Sequence, residues 1–319
     1  MNAAVIHAHD RAPRYEPFTL PAPRDGLVVD VLAAALSPRS RAGASGQHYT
    51  STGALPLVPG IDGVGQLPDG RRVYFLAADD QLGTMAEKTI ADPRLLAPLP
   101  DGVGASAIAA AMIPAISSWV ALTQRVALRP GQDVLVLGAT GAAGQLAVQI
   151  ARHLGAGRVI AAGRDPVALA RVRGLGADEV VALTGTPADG DAVAAVASEV
   201  DIVLDYLWGS VTGVVMPALC RRREAASRAL AWVLIGSIAG EELALSSVLL
   251  RKRNLHVLGS GQGATTTADM FAAAPAVIAA IAAGLLQTAI REVPLAEVER
   301  HWSAPLPSGE RLVFVPTGA

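Results

Sequence analysis

The chain has 319 residues, 51% of them hydrophobic and 17% charged, and carries a formal net charge of −2. That composition excludes a disordered chain and gives no general pull toward nucleic acid or an anionic membrane, while the length suits one large or two moderate domains. The single cysteine, Cys220, excludes a disulfide framework and a cysteine-built zinc cluster, and is compatible with a reducing cytoplasm.

The opening MNAAVIHAHD lacks the basic segment and apolar run of a signal peptide. Residues 3–7 and 27–34 read as strands, separated by Pro13, Pro17, Pro21 and Pro23, which favour loops and edge strands. Up to about Ala97, short apolar runs broken by Gly and Pro predict a β-rich unit. Residues 46–53 form a polar loop carrying Tyr49, and VPGIDGVG at 58–65 is dense in turn formers. Residues 72–76 are a further strand candidate. Residues 106–122 are Ala-rich and helical in pattern, with Pro114 predicting a break.

The stretch VLVLGATGAAGQLAVQI at 134–150 organises the second half of the chain. Four apolar residues predict a buried strand. Gly138, Gly141 and Gly144 come next, and Leu146, Ala147, Val148, Ile150 and Ala151 give one face of a helix. A strand, a glycine turn and a helix N-terminus together suggest a dinucleotide site, because backbone N–H groups and the helix dipole meet a pyrophosphate there. Thr140, Ala142 and Ala143 share the turn. After the next strand, at 159–162, stand Gly163, Arg164 and Asp165. An Arg at this place can meet a 2′-phosphate, which favours NADPH over NADH, whereas Asp165 could take ribose hydroxyls instead. Further strands are predicted at 179–182, 202–204, 232–235 and 255–258, alternating with helices as in a doubly wound parallel sheet. Residues 271–286 are apolar but too short to span a bilayer, and Pro275 interrupts them. The tail returns to short strands, clearest at 311–315.

These pieces in this order resemble the medium-chain dehydrogenase/reductase superfamily, nearest its zinc-free quinone oxidoreductase branch. The resemblance covers nearly the whole chain. It rests on VPGIDGVG, LPDGVGASAIAA, RPGQDVLVLGATGAAGQLAVQIAR, LGADEVV, DIVLDYLWG, VLIGSIAG, LHVLGSG and the final SGERLVFVP. It implies an α/β protein with a GroES-like β-rich catalytic domain (residues 1–117 and 263–319) and a Rossmann doubly wound domain (118–262). It implies the cofactor NADPH in the cleft between them, hydride transfer to a small-molecule acceptor, a homodimer and a cytoplasmic location. On the same resemblance Ser117 and Ser118 belong to the segment under the nicotinamide, and Gly236, Ser237, Ile238, Gly259 and Ser260 join the cofactor contacts.

The chain departs from the family at two places. It has no N-terminal cysteine, so no metal is expected as Lewis acid. Where the quinone reductases carry Asn-Pro-x-Asp, this chain has Ser37-Pro38-Arg39-Ser40. Hydride transfer without a metal needs a hydrogen-bond donor at the acceptor oxygen, and Tyr49 and Ser37 are the candidates, with packing or turn roles as the alternatives. The acceptor class is a quinone, enone or similar activated carbonyl. A non-catalytic NADPH-binding sensor and a zinc-free alcohol dehydrogenase-like reductase stand as alternatives. Short-chain reductases also carry a GATGAAG-like turn, but at the chain's start and with a later Tyr-x-x-x-Lys that is missing here. The basic runs Arg221-Arg222-Arg223 and Arg251-Lys252-Arg253 lack interleaved aromatics and give no nucleic-acid signal.

Overall fold

Alternating burial builds the first unit. In the computed structural model, which describes residues 1–48 and 51–316, β1 (Asn2–Val5) pairs antiparallel with β2 (Arg14–Pro17). β3 (Leu27–Ala35) buries Val29, Val31 and Ala33 at every second position, as a strand with one face in the core must. α1 (Pro38–Ala44) follows, then β4 (Asp62–Gln66), β5 (Arg72–Ala77) and β6 (Lys88–Pro98). β3, β4, β5 and β6 pair antiparallel in sequence and β6 returns to β3, so the four strands close on themselves and leave no free edge among them.

α2 (Ala105–Val120) runs on into a single π-helical turn, Ala121–Arg125. The expected break at Pro114 does not occur. Proline removes one N–H and crowds the preceding turn, but Ala109, Met112, Ala115, Ile116 and Val120 are all buried, and that burial outweighs the lost bond. The helix Ala105–Arg125 is long and apolar enough to cross a membrane by length and composition; 72% of its most apolar window is buried inside the protein.

Two compact units result, Met1–Ile113 with Ala274–Ala319, and Pro114–Ala273. The second holds β7 (Val134–Leu137), α3 (Ala142–His153), β8 (Val159–Gly163), α4 (Pro166–Gly174), β9 (Glu179–Ala182) and α5 (Ala188–Ala197). β10 (Ile202–Asp205), α6 (Gly209–Arg222), β11 (Leu230–Leu234), α7 (Ser247–Lys252), β12 (Leu255–Gly259) and α8 (Thr267–Phe271) complete it. All six strands run parallel in the order β12-β11-β10-β7-β8-β9. β7 is fully buried along its length, which is why its sequence is a continuous apolar run. The chain then returns to the first unit with α9 (Ala274–Ala282), β13 (Ala289–Pro294), α10 (Val298–His301) and β14 (Glu310–Val315), which joins the barrel on β3.

The turn expected at 58–65 ends early, because Asp62 already begins β4 and pairs with Leu76. Asp62 is buried beside Tyr74 and Arg311, and the Arg311 Nε–H donates to the Ala110 carbonyl at 3.2 Å. Burial pushes the Asp62 carboxyl up to about 7, with the Arg311 charge and the Tyr74 hydroxyl pulling the other way. The folded protein therefore holds this proton at pH values where the unfolded chain has released it. Asp62 thus favours the fold in acid, and that contribution is lost as pH rises from about 4 to about 7, at up to about 1.4 kcal/mol per pH unit. The stability of Asp62→Asn relative to wild type should accordingly increase between pH 5 and pH 8 in urea titrations. A pH-independent difference would exclude Asp62 as the titrating group.

Candidate functional site

In an open parallel sheet the ligand crevice lies outside the carboxyl ends of the strands, where the strand order reverses. Here that point falls between β7 and β10. The turn after β7 is built by close approach. Gly138 has φ +89°, and a Cβ on it would lie 3.1 Å from the Leu207 side chain and 3.2 Å from Tyr206 Cβ. A Cβ on Gly144 would stand 2.3 Å from the Gly138 carbonyl oxygen and 2.6 Å from Ala139 Cα, so α3 presses directly onto the turn. Gly141 differs, since its Cβ would meet nothing nearer than the Gly138 oxygen at 3.7 Å. Gly141 is also the N-cap of α3 and offers no side-chain cap. The N–H groups of Ala142, Ala143 and Gly144 consequently lack helical acceptors behind the exposed Gly141, which suits an anion. Thr140 is buried behind the turn, and its carbonyl accepts from Gln145 Nε2 at 2.9 Å.

At the end of β8, a Cβ on Gly163 would lie 2.5 Å from Thr140 Cγ2. Gly163 is therefore required by packing, and a carboxylate cannot be introduced there without displacing Thr140. Arg164 is exposed and, among the described residues, makes no ion pair or hydrogen bond. The Asp165 carboxylate caps α4, accepting from Val167 N at 2.9 Å and Ala168 N at 3.2 Å. A capping role accounts for Asp165 and leaves Arg164 as the ionic group beside the glycine turn.

The loop after β11 reaches the same rim. Gly236 N donates to the Asp205 carbonyl at 3.1 Å and Ile238 N to the Tyr206 carbonyl at 3.4 Å, while the Ile238 side chain is 76% exposed. Ser237 lies between them. Gly259 ends the outer strand β12; its carbonyl accepts from Arg125 Nε at 3.0 Å, and Ser260 N bonds back to Leu234 O at 2.8 Å. Ser117 and Ser118 turn their hydroxyls to the carbonyls of Pro114 (2.7 Å) and Ala115 (3.2 Å). Both serines stand close to the buried Tyr206 phenol, which burial pushes up to about 12. Trp119 stacks obliquely near His153, with ring centroids 5.6 Å apart.

In the first unit, Ser37 caps α1. Its Oγ accepts from Ser40 N at 2.9 Å and lies 2.8 Å from Ser40 Oγ, both side chains being buried. The Ser-Pro pair at a helix start is a capping signal, and it is legible in the sequence. A small cavity beside α1 is lined by Arg39, Ser40, Gly43, Thr52, Ile61 and Asp80, among others. Sequence reasoning misses Ser40 and Arg39 as members of a lining, because residues 38–44 carry no apolar periodicity to mark a helix. Burial, with Arg39 nearby, lowers the His48 pKa, so its neutral form prevails at pH 7. Tyr49 lies outside the described residues.

Asp201 and Asp205 have separate partners. They flank β10 at opposite ends, and Asp201 is taken by Arg228 at 2.7 Å. Arg223, in the first basic run, is buried and donates to the carbonyls of Ser198 and Val200 at 2.8 Å each, clamping them. Cys220 is buried in α6, and among the described residues no three His, Cys, Asp or Glu side chains gather to hold a metal ion.

No family model matches the chain. It is 30% identical to a probable NADPH-dependent quinone reductase of Emericella nidulans, over 93% of this chain and 94% of that one. It is 31% identical to an NADPH-dependent alkenal/one oxidoreductase of Arabidopsis thaliana over 50% of this chain and 45% of the relative. Among solved structures, the quinone oxidoreductase of Thermus thermophilus, also solved in complex with NADPH, superposes with a TM-score of 0.81 at 27% identity, covering 99% of this chain and 100% of that one.

Gly144 and Gly141 should separate in experiment. Gly144→Ala forces α3 off the turn and should destabilise the protein by about 1–3 kcal/mol. Gly141→Ala, at an ordinary extended φ of −74° with room for a Cβ, should melt close to wild type. Equal melting temperatures for the two variants would refute the packing argument.

Proposed function

The chain belongs to the quinone oxidoreductase-like branch of the medium-chain dehydrogenase/reductase superfamily, and from that premise we propose that it is an NADPH-dependent reductase that delivers hydride, without zinc, to a quinone, enone or similarly activated carbonyl. The observation that carries this reading is the uncapped start of α3 at the exposed Gly141. The pyrophosphate would lie on the N–H groups of Ala142, Ala143 and Gly144, and the 2′-phosphate on Arg164. Ser117, Ser118 and the Gly236, Ser237, Ile238, Gly259 and Ser260 loops are the further proposed contacts. The chemistry the bound cofactor supplies is hydride from its reduced nicotinamide, and the protein supplies orientation and a hydrogen-bond donor. Tyr49 is the proposed donor, with the Ser37–Ser40 hydroxyl pair as the second candidate.

Zinc independence is proposed because the one thiol lies buried in α6 of the parallel-sheet unit. A homodimer is proposed through β12, an edge strand of its sheet, with Leu245, Val248, Leu250 and Val257 exposed on or near it. A cytoplasmic location is proposed on the free, unpaired thiol.

The purified protein should oxidise NADPH with some member of a panel of quinones and enones, unaffected by chelators. Binding of NADPH without turnover of any acceptor would favour the sensor, and one zinc per chain by elemental analysis would overturn the metal-free chemistry. Light scattering at micromolar concentration should give a dimer's mass, and a monomer's mass would refute the assembly. A charge-assisted hydrogen bond contributes on the order of 1.5–3 kcal/mol, so Arg164 should confer roughly a 10- to 100-fold preference for NADPH over NADH. Arg164→Ala should remove most of it while leaving NADH binding nearly unchanged. Equal weakening of both cofactors would show that Arg164 does not read the phosphate.

A further inference from the structure

The turn from β10 to α6 holds an unusual backbone. Trp208 sits at φ +52°, ψ −157°, a region open essentially to glycine and costly for a bulky side chain. It is followed by Gly209 at φ +51°, where a Cβ would stand 2.3 Å from the Ala239 carbonyl oxygen. Asp205 holds this turn. Its Oδ1 accepts from Leu207 N at 2.8 Å and from Trp208 N at 2.9 Å. Its Oδ2 accepts from Thr212 Oγ1 at 2.5 Å and from Trp232 Nε1 at 2.8 Å. The carboxylate is wholly buried, and four donors compensate it.

The turn lies between two segments of the proposed cofactor site. On one side Leu207 and Tyr206 fill the space in front of Gly138. On the other, Ala239 N donates to the Leu207 carbonyl at 2.7 Å and Ile238 N to the Tyr206 carbonyl at 3.4 Å. Relaxation of Trp208 to an ordinary φ would move the side chains packed against Gly138 and the anchor of the 236–240 loop together.

We infer that Asp205 is a positioning residue for the dinucleotide, its carboxylate holding the 206–209 turn in a strained form that sets the spacing between the glycine turn and the 236–240 loop. The inference rests on the cofactor reading proposed for this chain. It makes a particular demand: a glycine at 208 adopts the same backbone without force, so the carboxylate should matter less there.

The experiment measures NADPH affinity, from the cofactor's own fluorescence, for wild type, Asp205→Asn, Trp208→Gly and the double variant, together with melting temperatures. Asp205→Asn should weaken NADPH about tenfold or more in the wild-type background and by less than about threefold in the Trp208→Gly background, the loss expected when release of backbone strain is what displaces the turn. Trp208→Gly should also melt several degrees above Trp208→Ala, since both lose the indole and only glycine is unstrained. Affinity of Asp205→Asn within twofold of wild type, equal losses in both backgrounds, or Trp208→Ala melting at or above Trp208→Gly would each overturn the inference. Should Asp205→Asn fail to fold, the two Trp208 variants still decide it. Failure of wild type to bind NADPH overturns the cofactor reading and this inference with it, whereas wild-type binding with Asp205 indifferent overturns this inference alone.

Discussion

The second unit depends on how closely α3 lies on the turn after β7. Gly144 and Gly138 approach to a distance that no Cβ permits, and this contact aims the helix axis at the end of the strand. Once α3 is so aimed, its unsatisfied N–H groups converge on the space before Gly141. Packing and anion affinity are therefore one feature: the glycines that let helix and turn touch are neighbours of the glycine that leaves the helix end open.

Buried charge is the second constraint, and the fold treats it in two ways. Asp205 and Arg223 are placed where backbone ends are orphaned. The carboxylate collects N–H groups at the start of α6, and the guanidinium collects carbonyls around the end of α5 and the start of β11. Each charge is met by dipoles that would otherwise lack partners. Asp62 is treated differently. Its neighbours do not repay its desolvation, so its proton is held to about neutral pH. The barrel unit thus carries a titrating group in its core, while the parallel-sheet unit carries a compensated one.

Other sequence features gained meaning only from their surroundings. Gly163 could be read as the absence of a repelling carboxylate, but the side chain of Thr140, from the preceding turn, leaves no room for any Cβ. Asp165 could be read as a ribose ligand, yet it is the N-cap of α4. Pro114 suggested a break, and the helix passes through it because both flanking stretches are buried. For Gly163 and Pro114 a local rule met a tertiary contact worth more, while Asp165 answers to a local cap.

The sequence by itself determined the parallel sheet, its glycine turn and the β-rich unit from both chain ends, because these are written in short-range periodicity: continuous apolar runs such as residues 134–137, glycines three apart, and punctuation by Pro and Gly. It also marked Arg164 as an ion beside the second strand. Only the tertiary structure decided that Asp201 is taken by Arg228 and Asp205 by Thr212 and Trp232, and that Trp208 is held in a backbone glycine would choose. Those outcomes depend on partners up to 27 residues away, such as Trp232 for Asp205. No local pattern encodes which donors will surround a buried group, since that is set by where the strands and helices come to lie against one another.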